Sequence, residues 1–157
     1  MKRAMLSMAI LVAGTVTATA AEIAPNDVVF NDGAVETPLT DKPGDPAAGR
    51  KVVGTKSLGN CVACHQVSEM SDVPFHGEIG PSLDGAGDRY TEAELRAIIA
   101  DAKKVFPDTV MPSFYKTGPY IRPGKAFTGK APDGPLPPLL SAQQIEDVVA
   151  YLKTLKE

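Results

Sequence analysis

Apolar residues along this chain fall into three helical repeats and one continuous run. Leu95, Ile98, Ile99 and Ala102 recur at i, i+3, i+4 and i+7, which places them on one face of a helix. Thr91 followed three residues later by Glu94 is a capping-box signature for its start. The same arrangement returns at Ser141 and Gln144, ahead of Ile145, Val148, Val149, Leu152 and Leu155. A shorter pattern begins where Asp45 can cap a helix and Pro46 can take its first position, where the missing N–H is no loss. Val52, Val53 and Lys56 extend that helix toward Cys61. No segment reads clearly as a strand, so the expectation is an all-α fold with few helices.

The continuous run is Ala4 to Val16, preceded by Lys2 and Arg3 and followed by the small residues Ala18, Thr19 and Ala20. A charged start, an apolar stretch of about thirteen residues and a small-x-small end are the parts of a secretory signal. A membrane span needs about 20 apolar residues. Residues 1–20 therefore read as a cleaved signal peptide, which places the mature chain in the periplasm. Its removal leaves only Met70 and Met111 of the five methionines, and a net charge of −5 rather than −3.

Residues 21–44 read as an acidic N-terminal extension and residues 45–157 as the folded domain. The stretch from Ala21 to Asp45 carries six acids against Lys42 alone, whereas residues 46–157 are balanced. Such a stretch is either a solvated tail or an arm packed on the domain or on a partner, since Val28, Val29, Phe30 and Val35 are apolar enough to bury. With 14 Gly and 14 Pro in 157 residues the chain is rich in irregular structure. Much of it falls in the loop Tyr115 to Pro138, and a loop of that length is uncommon unless functional. From Ser113 to Pro132 this loop holds Lys116, Arg122, Lys125 and Lys130 and no acid, a candidate docking surface for an acidic partner as well as an ordinary solvated stretch.

Cys61-Val62-Ala63-Cys64-His65 is the C-x-x-C-H pattern of covalent c-type haem attachment. Residues three apart on a helical turn share a face, so both thiols can reach the two vinyl groups on one porphyrin edge while His65 faces the iron. A disulfide across two residues is strained and leaves His65 unexplained. A zinc site needs four ligands, and His76 is the one other histidine. A thioredoxin-like pair would need a βαβ context that the helical pattern does not supply. One haem c is thus the expected cofactor, with His65 as the proximal iron ligand. For the opposite face the candidates are Met111, His76 and Met70. Met70 is tethered too closely to His65 to pass around the haem edge and suits core filling better. Met111 lies 46 residues downstream and precedes Pro112, which keeps the chain out of a helix there; it is the favoured ligand, with His76 or an open face as alternatives. A His/Met pair favours electron transfer; an open face would favour catalysis or gas binding.

The leading helix with Gly49, the C-x-x-C-H motif, Gly80-Pro81-Ser82-Leu83-Asp84-Gly85, Met111-Pro112 and the final helix ending in Val148-Val149-Ala150-Tyr151-Leu152 together resemble class I cytochrome c. That resemblance implies that Pro81 offers its carbonyl to the proximal histidine, and that the first and last helices cross near Gly49 and Tyr151. More narrowly, the stretches Gly80 to Leu83, Asp88 to Arg96, Asp101 to Pro107, Val110 to Tyr115 and Glu146 to Leu152 resemble the SoxX family, the monohaem subunits of SoxAX cytochrome complexes. The stretch from Lys130 to Leu140 departs from that pattern in being longer and richer in Pro. The SoxX resemblance implies a SoxA-type cytochrome partner, an onward electron-acceptor protein, and a role in oxidatively joining thiosulfate to a carrier-protein cysteine. In that scheme this chain relays electrons and the partner holds the catalytic haem. The competing expectation is a free periplasmic cytochrome c that shuttles electrons in a respiratory chain.

Overall fold

The computed structural model describes residues 21–121, 123, 124 and 128–157; the signal-peptide reading, and Arg122 and Lys125 of the basic loop, lie outside them. Four α-helices are present among the described residues: α1 (Pro46–Gly54), α2 (Ala86–Arg89), α3 (Glu92–Val105) and α4 (Ala142–Thr154). Short 3-10 turns occur at Pro25–Asp27, Cys61–Ala63 and Ser68–Met70. Two isolated bridges, Glu22 with Thr40 and Asn31 with Ala34, are the extent of β pairing there. No described helix is long and apolar enough to cross a membrane.

Three of these helices, α1, α3 and α4, start at a side-chain cap, whereas α2 follows Gly85 in the left-handed conformation without one. The Asp45 carboxylate accepts from the amides of Ala47 and Ala48. At α3 the Thr91 amide donates to Glu94 and the Glu94 amide to the Thr91 hydroxyl, and Ser141 with Gln144 repeats the exchange at α4. These contacts satisfy amides that no helical carbonyl can reach.

Two details differ from the sequence pattern. First, α1 ends at Gly54 rather than continuing through Lys56. Thr55 is extended and its hydroxyl bonds the Lys51 carbonyl, and Gly54 leaves room for the Met70 side chain, whose Cε stands 2.8 Å from where a Cβ would be. Second, α3 is broken at Asp101, whose φ of −151° and ψ of 88° are not helical. Its carboxylate accepts from the Lys103 amide and so caps the last turn as a separate short helix.

α1 lies across α4 with almost no side chain between them. A Cβ on Gly49 would stand 1.9 Å from the Asp147 carbonyl oxygen and 2.8 Å from the Tyr151 Cβ. A Cβ on Gly44 would stand 2.2 Å from the Glu146 carbonyl oxygen. The helices therefore cross at Gly49 and Tyr151. Val52 and Val53 of α1, Leu95 and Ile99 of α3, and Ile145, Val148, Val149 and Leu152 of α4 form the buried core, with Met70 filling it from the 3-10 turn.

The acidic extension packs on this core. Val35 and Leu39 are fully buried. Beneath them runs a buried ion pair in which Arg96 Nε donates to Glu146 Oε1 at 2.7 Å and Nη2 to Oε2 at 3.0 Å. The same two residues hold the extension's backbone: Arg96 Nη1 donates to the Val35 carbonyl, and the Leu39 amide donates to Glu146. Removing one partner of a buried pair strands the other charge, so Arg96→Ala should cost roughly 3–5 kcal/mol in urea unfolding. Amide exchange at Leu39 should rise with it; a Leu39 amide as protected as before would show that the pair does not hold the extension.

Candidate functional site

The chain reaches Cys61 through a tight corner. Gly59 sits against Val52 and the Cys61 Sγ, so that a Cβ on it would stand 3.1–3.3 Å from their atoms, and Asn60 takes the left-handed conformation at φ 49°. Cys61–Ala63 then forms one 3-10 turn, and the amides of both Cys64 and His65 donate to the Cys61 carbonyl, at 3.1 and 3.0 Å. Cys61 opens this turn and Cys64 caps it, three residues apart, an offset that lets two thiols bond one edge of a planar group. Neither is in a disulfide. Burial pushes the Cys61 thiol up to about 12, so before any bond is made to it this sulfur is a neutral thiol, not the low-pKa thiolate of a redox-active pair. Among the described residues no group of three or more His, Cys, Asp and Glu side chains could hold a metal ion between them.

His65 follows directly, and its Nδ1 lies 2.7 Å from the Pro81 carbonyl oxygen. A carbonyl only accepts, so Nδ1 carries the proton and Nε2 keeps its lone pair for a metal. Gly80 forms the wall behind the ring: a Cβ there would stand 2.2 Å from His65 Cε1. The segment 77–84 runs beside the haem motif and is stitched to it. The Gly77 amide donates to the Val62 carbonyl, Gly80 to Cys64 and Leu83 to Gln66.

Asp84 closes this ladder by accepting from both the amide and the hydroxyl of Ser68, at 2.8 and 2.6 Å. Arg89 ties the same segment by donating to the carbonyls of Ser82 and Asp84. The hydrogen bonds from Ser68 hold the Asp84 carboxyl below the usual carboxylate range. Asp84 and Gly80 stood in the sequence only as members of a motif; what they do depends on side chains sixteen and fifteen residues earlier, which spacing alone could not pair.

Met111 comes from a different part of the chain, the loop between α3 and α4, where its half-buried side chain packs against the core. Its amide donates to the Thr109 hydroxyl and its carbonyl accepts from Lys103 Nζ at 2.6 Å. Met70 is buried in the core. His76 accepts the Val67 amide at Nδ1, while its Nε2 is buried with no hydrogen-bond partner among the described residues. The large apolar side chains of Phe75, Ile79 and Val110, on the segments flanking these residues, are mostly exposed.

Two thiols three residues apart, followed directly by an imidazole with a single free nitrogen, suit covalent attachment of a haem c. A family profile for cytochrome c matches residues 46–156, and the chain belongs to the cytochrome c family. In that family Cys61 and Cys64 fit one covalently bound haem c. The chain is 58% identical to a chain in the crystal structure of SoxXA from P. pantotrophus, with a TM-score of 0.83, over 87% of this chain and 100% of that one. That similarity bears out the SoxX resemblance read from the sequence, and with it the class I cytochrome c fold. A comparison with curated proteins found no match.

Two outcomes follow from this geometry. Gly80→Ala puts a methyl group into the His65 ring, so the variant should attach less haem and show a perturbed absorption spectrum, measured on protein purified after equal expression. Asp84→Asn should lower stability at neutral pH. Because the folded-state pKa of Asp84 is lowered, its stabilisation is complete above the ordinary value near 3.8 and is lost as pH falls through the lowered folded value. The gap between Asp84→Asn and the parent protein should therefore close in acid, as read from urea unfolding across pH; a pH-independent gap would show that the charge is not what matters.

Proposed function

We propose that this chain is the electron-relay subunit of a periplasmic SoxAX-type heterodimer, in which thiosulfate is oxidatively joined to a cysteine of a carrier protein. The observation that carries the reading is the 58% identity to a chain of SoxXA over the whole length of that chain. On this reading residues 1–20 are a cleaved export signal, 21–44 an extension and 45–157 the cytochrome domain. The partner is a SoxA-type cytochrome that holds the catalytic haem, and an onward acceptor protein takes the electrons.

Haem c supplies reversible one-electron chemistry at its iron. The chain's own residues fix how it is used. Cys61 and Cys64 would hold the macrocycle by thioether bonds, and His65 would ligate the iron through Nε2. The Pro81 carbonyl keeps that imidazole in the right tautomer and adds basicity to it, as a hydrogen-bonded partner does for any ligating histidine. Met111 would supply a second ligand to the iron. A thioether ligand would raise the reduction potential of the iron, which suits passing an electron over binding a substrate.

Met111→Ala in the holoprotein should lower the reduction potential and let carbon monoxide bind the reduced iron. An unchanged potential and spectrum would remove Met111 from the iron and leave His76 as the candidate. The partner assignment is checked separately by size-exclusion chromatography with a SoxA-type subunit: co-elution is expected, and elution as two separate peaks would sink it in favour of a freely diffusing cytochrome.

A further inference from the structure

The loop that carries Met111 has little regular structure of its own, yet it is fastened to α3 on both sides of that residue, and every fastening passes through the helix break at Asp101. Leaving the helix at Asp101 has two local effects. It releases the Ala100 carbonyl from the helical ladder, and that carbonyl takes the Tyr115 amide at 2.9 Å. It also turns the Asp101 carboxylate toward the loop, where Oδ1 accepts from both the Ser113 hydroxyl and the Lys103 amide. The short turn capped in this way then aims Lys103 at the other side of Met111: its Nζ donates to the Thr109 carbonyl at 3.3 Å and to the Met111 carbonyl at 2.6 Å. An intact helix through Asp101 would leave the Ala100 carbonyl in the ladder and the carboxylate unable to cap Lys103.

We propose that Asp101, with Lys103 and Ser113, is the positioning device for the distal ligand: the break in α3 is what holds Met111 against the iron and keeps other ligands out. The inference rests on the reading that Met111 is the distal ligand. None of the three residues need touch the haem; they act by fixing the backbone on either side of Met111. Phe114 and Tyr115, both buried, anchor the far end of the loop, and Leu140 bonds the Phe114 carbonyl. The segment from Thr109 to Ser113 therefore depends on Asp101 and Lys103 for its hold.

The test uses ferric holoprotein and imidazole as an exogenous ligand, with the rate of imidazole binding and the reduction potential as readouts. Loss of one such hydrogen bond should speed imidazole binding roughly three- to tenfold. Asp101→Ala, Ser113→Ala and Lys103→Met should each do so and lower the potential in the same direction as Met111→Ala. Asp101→Asn, which keeps the accepting Oδ1, should restore the parent rate. If Asp101→Ala fails to fold, Ser113→Ala and Lys103→Met carry the test alone. Variants that melt earlier but bind imidazole at the parent rate, with Met111→Ala opening the site as expected, would overturn the positioning role while leaving the ligand assignment intact. If Met111→Ala itself binds imidazole no faster than the parent, the ligand assignment fails and the positioning role falls with it.

Discussion

At Gly49 the first helix approaches the last so closely that a single methyl group would lie 1.9 Å from the Asp147 carbonyl oxygen. Close backbone contact of this kind restricts the relative placement of the two helices, because at the crossing itself no side chain of Gly49 can slide or repack. Much of the rest of the fold hangs from α4 once it is placed. Glu146 pairs with Arg96 of α3 and takes the Leu39 amide of the extension; Asp147 takes the Asp45 amide at the head of α1; the Tyr151 hydroxyl donates to Glu69 just past the haem motif; and Lys153 donates to the carbonyls of Gly87 and Tyr90. Burial and the carboxylate of Glu69 push the Tyr151 hydroxyl well above its ordinary range, so it stays a donor at any physiological pH.

On that frame the segments that carry His65 and Met111 are held by opposite means. The His65 side is a backbone ladder between residues 62–68 and 77–84, short in sequence and closed by Asp84 at its end. Its ring has one wall that only glycine can form and one carbonyl that fixes its tautomer. The Met111 side borrows its hold from a helix by breaking it. A carboxylate and an ammonium two residues apart on α3 reach over to Ser113 and Met111. The His65 segment is thereby tied within itself, whereas the Met111 segment depends on where α3 stands, and α3 stands where Glu146 of α4 holds Arg96.

The acidic extension illustrates how local pattern underdetermines packing. Val28, Phe30 and Val35 were as compatible with a solvated tail as with a packed arm, since a short apolar cluster says nothing about what lies opposite. Buried Arg96 and Glu146 resolve it, because each has hydrogen-bonding capacity left over after pairing with the other and uses it on the extension's backbone at Val35 and Leu39. Neither residue stands out in the sequence: charged residues on an amphipathic helix read as solvent-facing until a partner helix is placed.

Chemistry that depends on neighbours along the chain was legible from the residues alone. The capping boxes at Thr91 and Ser141, the proline at the head of α1, the offset of Cys61 and Cys64 and the histidine beside them are all set within a turn or two, where covalent geometry fixes which atoms can meet. The tertiary structure alone decided where α1 stops, that α3 breaks at Asp101, that Gly80 must be bare for His65, and that Asp84 and Arg96 act as clamps. Each of those depends on contacts with segments well removed along the chain, brought together by helix packing, and no periodicity or spacing encodes a distance of that kind.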